Sequence, residues 1–395
     1  MNKNIVTIIA ALSLAAFATS CTDFLDREPL AQITPESYFS NDTQVGAYLT
    51  TYYPTWFSEA VTDLFSAGPA VIDSSTDDVC LTDPDYTLFG ERGHWLVPAA
   101  QALDFTNIRT VNYFLEAVEP KFEAGNISGN SNTIKHYIGE AYFMRAYEYF
   151  KKLKTYGDFP IVTKVLTDDK EALQTASERA PRNEVARFII SDLDKALELL
   201  QSGSTFNKVR IGKEAALLLK SRVALYEATF EKYHNGTPRV PGSTDWPGAK
   251  MSYNSGKTFN IDSEISYFLG EAMSAAKEVI DLMPLTENNH VIVPTPGIVK
   301  DTWNDYSNMF SAESMNGYSE VIFWRDYDSG QSIFNRFRGY LYIGYGAGHT
   351  RGCIDSFLMA NGLPIYAAGS NYKGDTNLVD QFAGRDERLR LFVFN

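Results

Sequence analysis

Apolar residues recur at three- and four-residue spacing over long stretches in the middle of the chain. From Asn107, Ile108, Val111, Leu115 and Val118 keep that period until Pro120, which predicts a helix that buries one face and ends at the proline. Between Thr133 and Tyr156 the apolar positions, among them Ile134, Tyr137, Ile138, Ala141, Met144, Tyr149 and Phe150, run round most of a helix surface. This element is therefore expected to be mostly buried, with Gly157 as its stop and Pro160 just beyond. A third helix is predicted from about Arg182 to Leu200, with Val185, Phe188, Ile189, Leu193, Ala196 and Leu197 inward. A fourth starts near Lys213, where Ala215, Ala216 and Ala224 permit close approach, and a fifth covers about Glu264 to Met283 and is ended by Pro284.

The flanking regions read differently. A first helix is expected near Pro35-Glu36-Ser37, and Thr51 to Pro98 is rich in Asp, Ser, Thr, Gly and Pro and reads largely as loop. Beyond His234, the stretches Gly236 to Thr258, Asn288 to Asp305 and Gly339 to Gly352 are loop-like, interrupted by the β-prone pieces Val321-Ile322-Phe323-Trp324 and Tyr340-Leu341-Tyr342-Ile343. The expected fold is mainly α: a tetratricopeptide-like helical array over residues 36–233, then a loop-rich second lobe with short strands over 234–395. The interval in Gly139-x-x-Tyr142 with Ala146-x-x-x-Phe150 is shorter than a tetratricopeptide repeat requires, so an irregular helical domain is the alternative.

The N-terminus changes the picture of where this array resides. Lys3 is followed by an apolar stretch from Ile5 to Phe17 and by small residues, Ala18-Thr19-Ser20, directly before Cys21. This is the pattern of a signal peptide over residues 1–20, with the mature chain starting at Cys21 and a tether over 21–35. A cysteine at that point resembles a lipoprotein lipobox, in which the thiol is acylated, for instance with palmitate, although Ala18 stands where such boxes usually carry Leu. A plain secreted protein is the alternative.

Composition excludes several function classes. The 395 residues carry 49 acids against 35 bases, a formal net charge of −14, with no Lys/Arg run, so nucleic-acid binding is not expected. There is no C-x-x-C pair for a cysteine-based metal site, and Cys80 and Cys353 are too few and too distant to imply a disulfide framework. No G-x-S-x-G, H-E-x-x-H or G-x-x-x-x-G-K-[ST] occurs, so no catalytic residues, metal or cofactor are assigned. His94, His136, His234, His290 and His349 each sit alone. The 25 Phe, 23 Tyr and 5 Trp supply both core and candidate ligand platforms, and loop aromatics on a rigid scaffold are the natural contacts. Tyr86 in the acidic loop, Trp303 with Asn304 and Tyr306, and Trp324 with Arg325 and Tyr327 are such candidates, Trp324 being more core-like because it follows three apolar residues.

Four stretches, in order, resemble the RagB/SusD family of outer-membrane nutrient-binding lipoproteins of Bacteroidetes. They are Cys21-Thr22-Asp23-Phe24-Leu25-Asp26-Arg27-Glu28-Pro29; Glu140-Ala141-Tyr142-Phe143-Met144-Arg145-Ala146 continuing to Leu153-Lys154-Thr155-Tyr156-Gly157-Asp158-Phe159-Pro160; Phe357-Leu358-Met359-Ala360-Asn361-Gly362-Leu363-Pro364; and Arg385-Asp386-Glu387-Arg388-Leu389. The resemblance implies a non-enzymatic, cell-surface lipoprotein of the outer membrane, anchored in lipid through Cys21. It implies capture of an oligosaccharide, or in some relatives a peptide, and its transfer to a SusC-like TonB-dependent β-barrel transporter. It also places an aromatic and an asparagine near the site, matched here by Trp95 and by Asn112 on the following helix. Sugars present flat C–H faces and hydroxyl edges, which aromatic platforms with nearby Asn, Asp or Arg would satisfy. Arg145 and Asp158 are read as scaffold residues. Family members continue past the Arg-Asp-x-Arg-Leu stretch, whereas this chain stops at Leu391-Phe392-Val393-Phe394-Asn395, so a C-terminally truncated chain is expected. A glycan-degrading surface enzyme is the competing class, and a helical scaffold that binds only protein is a third.

Overall fold

The computed structural model describes residues 38–57, 76–81, 103–286, 308–310, 312–331, 333, 347–386 and 388–389. Six helices of nine residues or more build the described part: α1 (Asp42–Thr50), α2 (Thr106–Glu123), α3 (Ser131–Tyr156), α4 (Arg182–Leu199), α5 (Lys213–His234) and α6 (Ile261–Leu282). Side-chain caps set several starts. Asn41, Asn130 and Asn260 accept the backbone N–H of Gln44, Thr133 and Ser263 at 2.9, 3.1 and 3.1 Å. Gly157, at φ 71°, ends α3 in a conformation that a side chain would strain.

Consecutive helices are antiparallel neighbours. Asn107 meets Glu148 and Glu119 meets Tyr142 across α2 and α3; Arg145 meets Asp192 and Tyr149 meets Phe188 across α3 and α4. Arg182 meets Glu227 across α4 and α5, and Lys213 and Ser221 meet Glu278 and Ala272 across α5 and α6. The result is the expected helical array, with α3 in its middle and buried on nearly every side. Ile134, Met144, Tyr149 and Leu153 are all removed from water there. Each such side chain contributes roughly 1.5–3 kcal/mol. A Cβ on Gly139 would lie 3.0 Å from Leu200 Cγ and 3.1 Å from its backbone N, so the glycine lets α3 touch the end of α4.

Three buried ion pairs lock these contacts. Arg145 forks onto Asp192 at 2.7 and 2.8 Å, Arg182 onto Glu227 at 2.7 and 2.7 Å, and Arg210 onto Glu140 at 2.9 and 2.5 Å.

The second half is knitted to the first at several points. Strand β1 (Val79–Leu81) pairs antiparallel with β2 (Ala347–His349), with Cys80 opposite Gly348. The last two family-like stretches also meet. Met359 and Arg385 form a bridge, Asp386 N–H donates to Leu358 O at 2.9 Å, and Arg385 Nη2 donates to the carbonyls of Ile354 and Phe357 at 2.6 and 2.7 Å. Around them Ile354, Phe382 and Leu389 form a small core of their own. Helix α6 packs along α5 through Ala275 and Val279, so residues beyond 233 also join the helical layer.

Some expectations need correction. The α2 helix runs past Pro120 to Glu123, because a proline removes only its own N–H; Ala124 N–H still closes the last turn on Pro120 O at 3.0 Å. Val321–Trp324 is not a strand: Phe323 packs on Tyr53 and Phe57, and Trp324 makes a single backbone bond to Lys208. Gly339 to Gly352 is not all loop, since it contains β2 and the start of a short helix, Arg351–Ser356. Cys353 is a free thiol whose Sγ lies 3.8 Å from His349 Nδ1. The predicted first helix at 35–37 and Tyr340–Ile343 lie outside the described residues, as does Asn288 to Asp305.

Candidate functional site

A cleft of about 530 Å³ lies where the start of the array meets the second half of the chain. One wall comes from the segment after α1, in which Tyr53 opens a short helix, Tyr53–Trp56, and Phe57 follows it. The other comes from Phe323 and Trp324. Phe323 sits between the two rings of the first wall, with centroids 6.1 Å from Tyr53 and 5.1 Å from Phe57. Trp324 is held from behind. Its backbone N–H and Nε1 donate to Lys208 O and Asn207 O at 3.0 and 2.9 Å. Asn207 and Lys208 adopt φ of 52° and 59°, the left-handed region, and so turn both carbonyls toward it. A backbone held in that region at a non-glycine pair is a cost that the Trp324 contact offsets.

Beneath the aromatic walls lies a buried polar network. Tyr53 Oη donates to Glu140 Oε1 at 2.7 Å and accepts from Ile211 N–H at 3.0 Å. Arg210 lines the cleft, forks onto Glu140 and donates to Thr50 Oγ1 at 2.8 Å, which uses three of its five N–H groups. Burial opposes ionisation of Glu140, but His136 and Arg210 bring its pKa below the usual carboxylate range. Burial also opposes the Arg210 charge, and Glu140 more than compensates, so the guanidinium is firmly cationic. His136 is structural: Nε2 lies 3.2 Å from Glu140 Oε1 and Nδ1 accepts from Gln201 N–H at 3.1 Å. The exposed rim is Arg325 and Asp326. Flat apolar faces beside fixed hydrogen-bonding groups are the chemistry that a sugar ring needs.

Of the residues picked from sequence, Tyr86, Trp95, Trp303, Asn304, Tyr306 and Cys21 lie outside the described residues. Asn112 is described. It is fully buried, its Nδ2 donates to Val162 O at 2.8 Å and its Oδ1 accepts from Arg145 Nη1 at 3.0 Å, so its amide is engaged by the scaffold. It lines a separate hollow of about 340 Å³, walled by Phe105, Ile108, Leu166 and Leu173. Trp324 is buried as its apolar neighbours suggested, and Arg325 stands 5.7 Å over the Tyr327 ring. Trp56 and Trp246 are both packing groups, and Arg145 and Asp158 both tie scaffold elements together.

Residues 23–225 match a family model described as SusD-like, starch-binding associating with outer membrane. The chain belongs to the SusD-like family. Among curated relatives it is similar to SusD-like protein P2 of Formosa agariphila, 26% identical over 240 residues, which are 59% of this chain and 45% of the relative. SusD-like protein P38 of the same organism is 32% identical over 99 residues, 24% of this chain and 18% of that protein. The match thus spans less than half of either relative. In fold, the chain is similar to a SusD-like protein of Bacteroides fragilis, with a TM-score of 0.52 at 22% identity over 92% of this chain and 62% of that one. A SusD-like carbohydrate binding protein of the same species gives 0.53 at 14% identity, covering 90% of this chain and 60% of that one.

The SusD-like fold therefore frames the cleft, whose residues were only partly legible. Tyr53, Phe57 and Arg210 were not singled out, although Tyr52-Tyr53-Pro54-Thr55-Trp56-Phe57 is an aromatic cluster beside a proline and was a usable signal. Among the described residues no helix is long and apolar enough to cross a membrane, and no group of three or more His, Cys, Asp or Glu is placed to hold a metal ion.

Proposed function

We propose that the protein is a lipid-anchored outer-membrane protein, acylated at Cys21, that binds a nutrient oligosaccharide and delivers it to a SusC-like TonB-dependent transporter without chemistry of its own. The observation that carries the binding role is the junction cleft, in which Tyr53, Phe57 and Phe323 are held as platforms beside Arg210, Arg325 and Asp326. Membership of a family described as starch-binding and associated with the outer membrane supports the ligand class and the location. Trp95, Tyr86, Trp303, Asn304 and Tyr306 belong to the same proposal as further ligand contacts, and Asn112 as a residue that holds the adjoining scaffold. The signal peptide over 1–20, the tether over 21–35 and the division of the body near 233 are also part of it.

The test is a calorimetric titration with neutral host and plant oligosaccharides of the wild type and of Phe57→Ala/Phe323→Ala. Loss of at least tenfold in affinity, with the helical circular dichroism kept, is the expected result. Arg325→Ala, at the exposed rim, gives up the stacking on Tyr327 but, among the described residues, no buried contact in the array, and is expected to weaken binding severalfold while keeping the circular dichroism. Equal affinity in all three proteins would remove the cleft from the account.

A further inference from the structure

A second cleft, of about 650 Å³, opens where α3 ends in Tyr156-Gly157-Asp158. Its inner wall is tied to the scaffold. Trp246 is buried, its ring covers Gly248 so closely that a Cβ there would stand 2.1 Å from Cζ2, and its Nε1 donates to Asp158 Oδ2 at 2.8 Å. Among the described residues Asp158 is the one acid lining the cleft, and its Oδ1 accepts from Arg182 N–H at 2.9 Å, so both carboxylate oxygens serve the scaffold. Arg182 is closed off as well, forked onto Glu227 and stacked 3.4 Å from the Phe230 ring centroid.

Much of the remaining polar lining is not committed to ion pairs, although Lys154 Nζ stands 4.8 Å over the Phe150 ring. Lys154, Arg179 and Arg239 line it, and among the described residues none of the three has an ion-pair partner, on a chain whose net charge is −14. Asn254 is only 7% exposed, and its Nδ2 donates to Gly248 O at 3.0 Å, which fixes the orientation of the amide. Its Oδ1 is then a buried acceptor without a donor. Such an atom is costly unless something outside the fold satisfies it. Three unpaired cations at a mouth attract an anion, half-buried Tyr156 and Tyr253 offer ring faces, and a lone acceptor at the base suits a hydroxyl donor.

We propose that this cleft is a second ligand site, distinct from the junction cleft, that takes a sugar bearing an anionic group, a carboxylate or a sulfate. The cations hold the anionic group, the tyrosine faces cover the ring, and Asn254 Oδ1 accepts from a ring hydroxyl. A cleft of this size accommodates an oligosaccharide segment rather than a free ion alone.

The purified protein is titrated with an oligogalacturonate, a sulfated oligosaccharide, a neutral oligogalactoside and sodium sulfate. Binding of at least one acidic oligosaccharide is expected, at least tenfold tighter than the neutral one and weakening as salt rises; which of the two binds identifies the anionic group. Arg179→Ala/Arg239→Ala changes two exposed side chains and is expected to lose at least tenfold in affinity while keeping its circular dichroism; Tyr253→Ala, which removes one ring face, is expected to lose severalfold, whereas Tyr253→Phe keeps that face and is expected to bind nearly as wild type. Phe57→Ala/Phe323→Ala is expected to bind the acidic sugar unchanged, which separates this site from the junction cleft. The proposal is overturned if neither acidic sugar binds, if sulfate alone binds as tightly as the oligosaccharide, or if affinity survives the arginine changes but is lost in the phenylalanine variant.

Discussion

Glu231 gives the most quantitative test of the helical array. It lies on α5, fully buried, and neither carboxylate oxygen accepts a hydrogen bond. Three carboxylates, Glu227, Glu231 and Glu264, share two guanidinium groups, and both are taken: Arg182 by Glu227, and Arg187 by Glu264 at 2.8 and 3.0 Å. Burial, with repulsion from Glu227 and Glu264 added, pushes the Glu231 pKa up to about 8. The folded protein therefore keeps a proton that the unfolded chain releases near its ordinary value of 4.5. Stability from this group is complete below pH ~4.5 and is lost as pH rises toward 8. At pH 7 the penalty is about 1.36 × 2.5, or roughly 3 kcal/mol, and solvent screening and local relaxation reduce it to about 2 kcal/mol. Glu231→Gln removes the ionisable group and keeps the shape. Urea unfolding followed by circular dichroism should show the variant about 2 kcal/mol more stable than wild type at pH 7 and nearly equal to it at pH 4.5. Other carboxylates with raised pKa, such as Asp158 and Asp192, act equally in both proteins and cancel. Parallel pH profiles for the two proteins would refute the reasoning.

Two further predictions address the scaffold. Asp192→Ala strands the Arg145 guanidinium inside the array and should cost about 3–5 kcal/mol, read as a lower urea midpoint, whereas Arg187→Ala at the more exposed pair with Glu264 should cost about 1 kcal/mol or less. Gly139→Ala forces a methyl group against Leu199 and Leu200 and should cost about 1–3 kcal/mol with sugar affinity retained; unchanged thermal stability would mean that α3 and α4 do not meet as described.

The helices were legible because their apolar period is local. Ile134 to Phe150 on α3 declares burial all round, and Gly157 and Pro284 announce ends that the structure places within two residues. Of the buried charges on α3, Arg145 was read as a scaffold residue through the family resemblance, and the others were not legible. His136, Glu140, Arg145 and Glu148 look like a polar stripe on α3, and what makes them interior is a set of partners far along the chain, such as Asp192, 47 residues away, and Arg210, 70 residues away. The cleft was hidden for the same reason. Phe323 reads as the middle of a strand until Tyr53 and Phe57 are brought beside it, and Lys208 carries no sequence mark of the left-handed conformation that holds Trp324. Asn112 was picked because the family resemblance places an asparagine near the site, and in the structure its amide is engaged by Val162 O and by Arg145 Nη1.

The central claim is that the protein binds a glycan and leaves it unaltered. The measurement that tests it most directly is calorimetric titration of the purified protein with an oligosaccharide panel, followed by chromatography of the recovered ligand. Saturable heat with one glycan, returned at its original length, is the expected result. Cleaved sugar would establish an enzyme, and silence from a folded protein across the panel would contradict glycan binding and leave a peptide as the ligand to pursue.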